Sequence, residues 1–226
     1  MLKINKKETK VFFSPLQKYI IASTLLGLTI FLEFAYDKLG MAKMGANIGS
    51  FIKISLLPLI LIGFLLGGGY SFLFCSLYAL FHLFKAIFLS EYTNILAYMQ
   101  AQQMHPLQQI VVLLLDYLLV DLSYSLSFIF YTPNLKYFDN YKIILLNLLI
   151  VFALVFSFKC LASYFIWLPL ITNKQNYFPF LASLNYNPII WCLFYNLIPV
   201  FSTFAFIFVF LFFLNPRIKV YLNYYR

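Results

Sequence analysis

Three ionisable side chains stand deep inside long apolar runs, and they are the residues of this chain best placed to do chemistry. Asp116 and Asp121 lie in PLQQIVVLLLDYLLVDLSYSLSFIF, residues 106–130, and Lys159 lies in the run 143–171. A charged side chain at the centre of a membrane helix costs about 2.5–3.5 kcal/mol on insertion scales. Such a residue persists where it faces a bundle interior, a watery cavity or a ligand. The Asp116–Tyr117 dipeptide is therefore the first candidate for a binding site.

Depth arithmetic separates the three. Lys159 stands sixteen residues past Ile143 in a run that rises from the cytoplasm, about 24 Å up at ~1.5 Å per residue. Asp116 lies nine residues below the external entrance of its run, about 14 Å down. The two overlap in depth and oppose in sign, so a pair across the bundle interior neutralises both. Asp121 lies more than a turn further down, about 140° around an ideal helix from Asp116, and is expected to be a structural charge or to contact a partner subunit or cytoplasmic water. Lys53 and Lys85, near the external ends of their runs, are expected to snorkel. Trp167 stands two turns past Lys159 on nearly the same face, and Trp191 and Asn196 open the last run. With Tyr117, and with Tyr78 from the third run as a further candidate, they form either an aromatic lining for a flat heteroaromatic ligand or, for the two tryptophans, an interfacial belt.

The elements that must position these residues are membrane helices. Of 226 residues, 63% are hydrophobic and 10% charged, against about 25% charged in soluble domains; the mean hydropathy is +0.88. Apolar runs at roughly 18–37, 51–66, 70–89, 107–130, 143–171 and 189–214 predict an all-α integral membrane protein, a bundle of six transmembrane helices over 18–214. The second run is the short one. A basic arm, 1–17, precedes the bundle and a basic tail, 215–226, follows it. Ten Lys and Arg fall in the segments on the side of the termini, against Lys38, Lys43 and Lys174 on the other, which places both termini in the cytoplasm. The first run lacks a small-x-small cleavage site and is expected to be a retained helix. The wealth of Phe, Tyr, Ile, Asn and Lys points to an AT-rich genome, so aromatic content alone signals little.

Several functions are excluded. No Walker-type phosphate loop, HExxH or GxSxG motif occurs, so neither ATP hydrolysis nor these hydrolytic chemistries are expected, and no basic patch is interleaved with exposed aromatics for nucleic acid. Cys75, Cys160 and Cys192 read as small buried hydrophobes rather than metal ligands. His82 is expected to be a hydrogen-bonded bundle residue, and His105, beside Pro106, a solvated one.

Three segments carry a resemblance. KISLLPLILIGFLLGGGYSFLFCSLYALF, residues 53–81, is similar to the second and third helices of the substrate-binding (S) subunits of energy-coupling factor vitamin transporters, with their glycine-rich link. LLLDYLLVDLSYSLS, 113–127, resembles the fourth helix of the thiamine-specific branch, where Asp116 and Tyr117 fill the places of a ligand-contacting Glu-Tyr pair. FKCLASYFIW, 158–167, and WCLFYN, 191–196, resemble that branch's last two helices, with Lys159 at a His place, Trp167 at a Trp, Trp191 at a Tyr and Asn196 at an Asn.

The resemblance implies a high-affinity vitamin-binding S subunit in the plasma membrane, not an enzyme, with no resident cofactor. Its cargo is thiamine or a relative such as a phosphate ester, since Lys159 either is neutralised by Asp116 or meets an anionic group. Riboflavin and folate are the alternative cargoes. Its implied partners are a transmembrane coupling subunit and a pair of cytoplasmic ATPases. Ser23 and Gly27, four apart on the first helix, would form the docking face, and loops 38–50 and 90–106 the external lid. A non-transport membrane scaffold explains the apolar runs and basic ends equally well, but not Asp116 and Lys159 at matching depth.

Overall fold

A computed structural model describes residues 13–39, 52–89, 95–101, 103–133, 140–167 and 187–224. Among them every regular element is helical: α1 (Pro15–Leu39), α2 (Leu56–Leu66), α3 (Gly68–Phe84), α4 (Ile95–Ala101), α5 (Pro106–Val112), α6 (Val120–Ser123), α7 (Tyr141–Ala162) and α8 (Pro188–Tyr224). Three π-helical stretches, Lys85–Leu89, Leu113–Leu119 and Ser163–Trp167, and a 3-10 turn, Tyr124–Phe128, extend or join them. The fourth apolar run is thus one span, Pro106–Phe128, that changes winding three times.

The spans begin where side chains can satisfy free backbone donors. Ser14 and Gln17 bond each other's backbone N–H at 3.2 and 2.8 Å ahead of α1. His105 Nδ1 accepts from the Leu107 N–H while Gln108 Oε1 accepts from His105 N–H, 3.3 and 3.1 Å. Asn140 and Asn187 accept from Lys142 and Ile189, each at 3.0 Å. Pro15, Pro106 and Pro188 occupy first helical positions, where no N–H is needed. Each cap contributes about 1 kcal/mol. His105, expected to be merely solvated, is exposed and serves as a cap.

Among the described residues, five helices are long and apolar enough to cross a membrane. The second apolar run forms a helix of only 11 residues, about 16 Å long, short of the ~30 Å of a hydrocarbon core. It is buried along almost its whole length and forms the centre of the main apolar cluster. α1, α3, α7, α8 and the Tyr124–Phe128 turn contribute side chains to the same cluster. Gly63 makes this possible: a Cβ there would strike the Ser127 hydroxyl and sit 2.8 Å from Ser71 Oγ. Gly67 turns the chain from α2 into α3 at φ +86°, a conformation only glycine adopts without strain, under the ring of Tyr131.

Helix directions follow from the contacts. Tyr19 meets Tyr70 and Glu33 meets Lys85, so α1 and α3 are parallel. The fourth span runs against both α3 and α7, pairing Ser125 with Ser71 and Asp116 with Lys159. Tyr141 meets Phe212 and Ser163 meets Asn196, so α8 opposes α7. The start of α1 and the C-terminal half of α8 therefore lie at one end of the bundle. Outward faces are apolar, with Phe72, Phe88, Phe165 and Phe213 all more than half exposed, as lipid contact requires.

Candidate functional site

The charged side chains of the spans converge on one another away from the Gly67 end. In the Leu113–Leu119 stretch the backbone bonds run i to i+5, and such widened turns recur at functional sites. Asp116 sits inside this stretch and bonds Lys159 Nζ at 3.1 Å. The ion pair anticipated from depth alone is therefore present, and it is partly open, with the side chains 30% and 21% exposed.

For Asp121 the structural alternative holds. It is 2% exposed and accepts a 2.7 Å hydrogen bond from His82 Nδ1, so it serves neither a partner subunit nor cytoplasmic water. The 140° separation assumed an ideal α-helix. The π-helical turns beneath Asp116 change that phase, and both carboxylates face protein: Asp116 toward α7, Asp121 toward α3. Tyr117 lies between them, its ring 5.1 Å from that of His82. His82 stacks in turn on Tyr78, 5.6 Å away and fully buried in the core. As expected, His82 is a hydrogen-bonded bundle residue.

Lys53 and Lys85 do not snorkel outward. Both turn onto Glu33, at 3.8 and 3.5 Å, and Ser55 Oγ donates to the same carboxylate at 2.5 Å. Glu33 is 7% exposed. Glu33 stands near the end of the first apolar run, at the depth of Lys85, so rise per residue along the two runs points to this contact as well. Three carboxylates, Glu33, Asp116 and Asp121, thus meet three lysines and His82, which offsets the cost of each buried charge.

The last two helices add neutral polar groups. Asn196 is buried and donates through Nδ2 to Ser163 Oγ and to the Cys192 carbonyl, both at 2.8 Å. Ser163 lies one turn past Lys159 on α7's continuation, so Asn196 reaches the level of the ion pair. Trp191 is 4% exposed and stacks on Tyr195 at 4.8 Å, and its indole N–H has no hydrogen-bond partner among the described residues. It is a core residue, not part of an interfacial belt. Trp167 ends the Ser163–Trp167 stretch, and its side chain lies outside the described residues, as do 40–50, 90–94 and 102 of the loops expected to form a lid.

Ser23 and Gly27 lie on the outer face of α1, where a Cβ added at Gly27 would meet nothing within 4 Å. Cys75 and Cys192 are buried and Cys160 is half-buried. Among the described residues no group of three His, Cys, Asp or Glu side chains is placed to hold a metal ion. No family, curated protein or solved structure matches the chain.

Proposed function

We propose that this chain is the vitamin-binding S subunit of an energy-coupling factor importer, in the plasma membrane of an AT-rich bacterium, with thiamine or a phosphorylated relative as cargo. In this reading the six apolar runs form a bundle whose two termini face the cytoplasm. The start of α1 and the end of α8 at one end of the bundle suit that topology. The observation that carries the reading is the Asp116–Lys159 ion pair: it is partly open, and its two members occupy positions that the resemblance assigns to ligand contacts. Tyr117 follows Asp116 in the chain, Asn196 bonds Ser163 one turn past Lys159, and Trp191 supplies a buried indole donor on the same helix as Asn196. A few convergent polar groups among aromatic walls suit a small heteroaromatic ligand.

The subunit would capture vitamin from outside and dock through the Ser23 and Gly27 face of α1 on a coupling subunit served by a pair of ATPases. The exposed, small-residue surface of α1 supports close approach of another helix. Titration of the detergent-purified protein with thiamine, its phosphates, riboflavin and folate tests the reading. High-affinity binding of one of them is expected; silence from all sinks it. Co-purification with a coupling subunit and ATPases separates it from a membrane scaffold.

A further inference from the structure

His82 presents an unused polar atom to the interior of the bundle. It belongs to the inward stripe of α3. Ser71, Cys75 and Tyr78, three to four residues apart, are fully buried, while Phe72, Leu73 and Leu80 face outward. His82 continues the stripe, yet its side chain stays 14% exposed. Tyr78 stacks on the ring at 5.6 Å, Tyr117 approaches it to 5.1 Å, and Asp121, 2% exposed, closes the Nδ1 edge. What is left open is the edge away from Asp121, which carries Nε2 and turns toward the interior rather than the lipid.

Asp121 sets the state of that nitrogen. An ionised carboxylate only accepts, so the 2.7 Å bond puts the ring proton on Nδ1 and leaves Nε2 with a lone pair. Nε2 makes no hydrogen bond among the described residues, and it is not sealed as the Tyr78 hydroxyl is. Glu33, whose charge also acts on His82, is bonded to Ser55 and paired with Lys53 and Lys85 instead. An imidazole packed against two tyrosines and oriented by a buried carboxylate is an acceptor already fixed in place, so little ordering is lost when a donor meets it. Tyr117 links it to the Asp116–Lys159 pair, because it follows Asp116 in the chain and contacts the imidazole.

We propose that His82 Nε2 is a further ligand contact, accepting a hydrogen bond from an N–H on the edge of a heteroaromatic ring, an exocyclic amine or a ring imide. The proposal rests on the reading that this part of the bundle binds the vitamin.

Two substitutions separate the ring nitrogens. The amide of Asn reaches the place of Nδ1 and that of Gln the place of Nε2. His82→Asn therefore keeps a donor for Asp121 and loses the contact, whereas His82→Gln keeps an acceptor at the contact and leaves Asp121 without its donor. Full-length wild type and both variants are titrated calorimetrically with thiamine, riboflavin and folate, and melted in detergent. His82→Asn should melt near wild type but bind the recognised vitamin about tenfold more weakly. His82→Gln should melt lower and lose less affinity. Unchanged affinity in His82→Asn, or affinities that follow the melting temperatures across the three proteins, would overturn the contact and leave vitamin binding intact. Nitrogen-15 NMR of the wild-type histidines needs no variant at position 82, since His105 is the only other histidine. The vitamin should shift the His82 Nε2 resonance far more than Nδ1, and an unmoved Nε2 overturns the contact. No binding of any of the three vitamins by wild type overturns both the contact and the vitamin-binding reading.

Discussion

Replacing His82 by Phe probes the bundle where its electrostatics are most exposed to error. The Asp121 carboxylate is 2% exposed and bonded to His82 Nδ1 at 2.7 Å. Phe keeps the ring contacts to Tyr78 and Tyr117, 5.6 and 5.1 Å away, so the packing loss is small. What remains is a carboxylate in an apolar interior without its donor. Breaking a buried pair from one side costs about 3–5 kcal/mol. At about 2–4 °C per kcal/mol for a chain of this size, the melting temperature should fall by about 6–20 °C. Asp121→Asn keeps an acceptor for the imidazole and should cost about 1–2 kcal/mol. The double variant His82→Phe/Asp121→Leu removes both polar partners and should recover most of the loss. Fluorescence-monitored thermal unfolding in detergent reads all four proteins. A His82→Phe melting point within about 2 °C of wild type, or a double variant no more stable than His82→Phe, refutes a structural hydrogen-bonded pair at this position.

Other outcomes follow from the same contacts. Glu33→Gln removes the carboxylate shared by Lys53 and Lys85 and should destabilise by about 2–4 kcal/mol, with partial recovery on adding Lys53→Met; thermal unfolding measures both. Gly63→Ala places a methyl against the Ser127 hydroxyl and 3.0 Å from the Phe128 backbone nitrogen, and should lower stability by about 1–3 kcal/mol, whereas Gly69→Ala, with open space around it, should stay within about 0.5. Ser23→Leu/Gly27→Leu should leave melting and vitamin affinity unchanged but abolish pull-down of the coupling subunit, because both positions face outward.

The helical bundle was legible because apolar run length is a direct consequence of bilayer thickness, and Pro and capping residues mark where runs begin. The Asp116–Lys159 pair was legible for a related reason: rise per residue converts sequence position into depth, and opposite charges at one depth attract. The same rule applied to Glu33 would have found its lysines, but Lys53 and Lys85 near helix ends were given to solvent. The partner of Asp121 was not legible because angular phase, unlike depth, depends on winding. Seven π-helical residues around Asp116 alter the phase, and nothing in the apolar run LLLDYLL signals that they do. The α2 helix was visible as a short run. Its place at the core centre depends on Gly63 admitting Ser71 and Ser127, a tertiary fit with no local pattern.

The central claim is that the level of Asp116 and Lys159 holds a vitamin. The most direct test is the affinity of Asp116→Ala, beside wild type and the distant, exposed Lys142→Ala, for whichever vitamin the wild type binds. Asp116→Ala should lose about tenfold or more, with Lys142→Ala matching wild type. Equal affinities for all three proteins would contradict a binding role for Asp116.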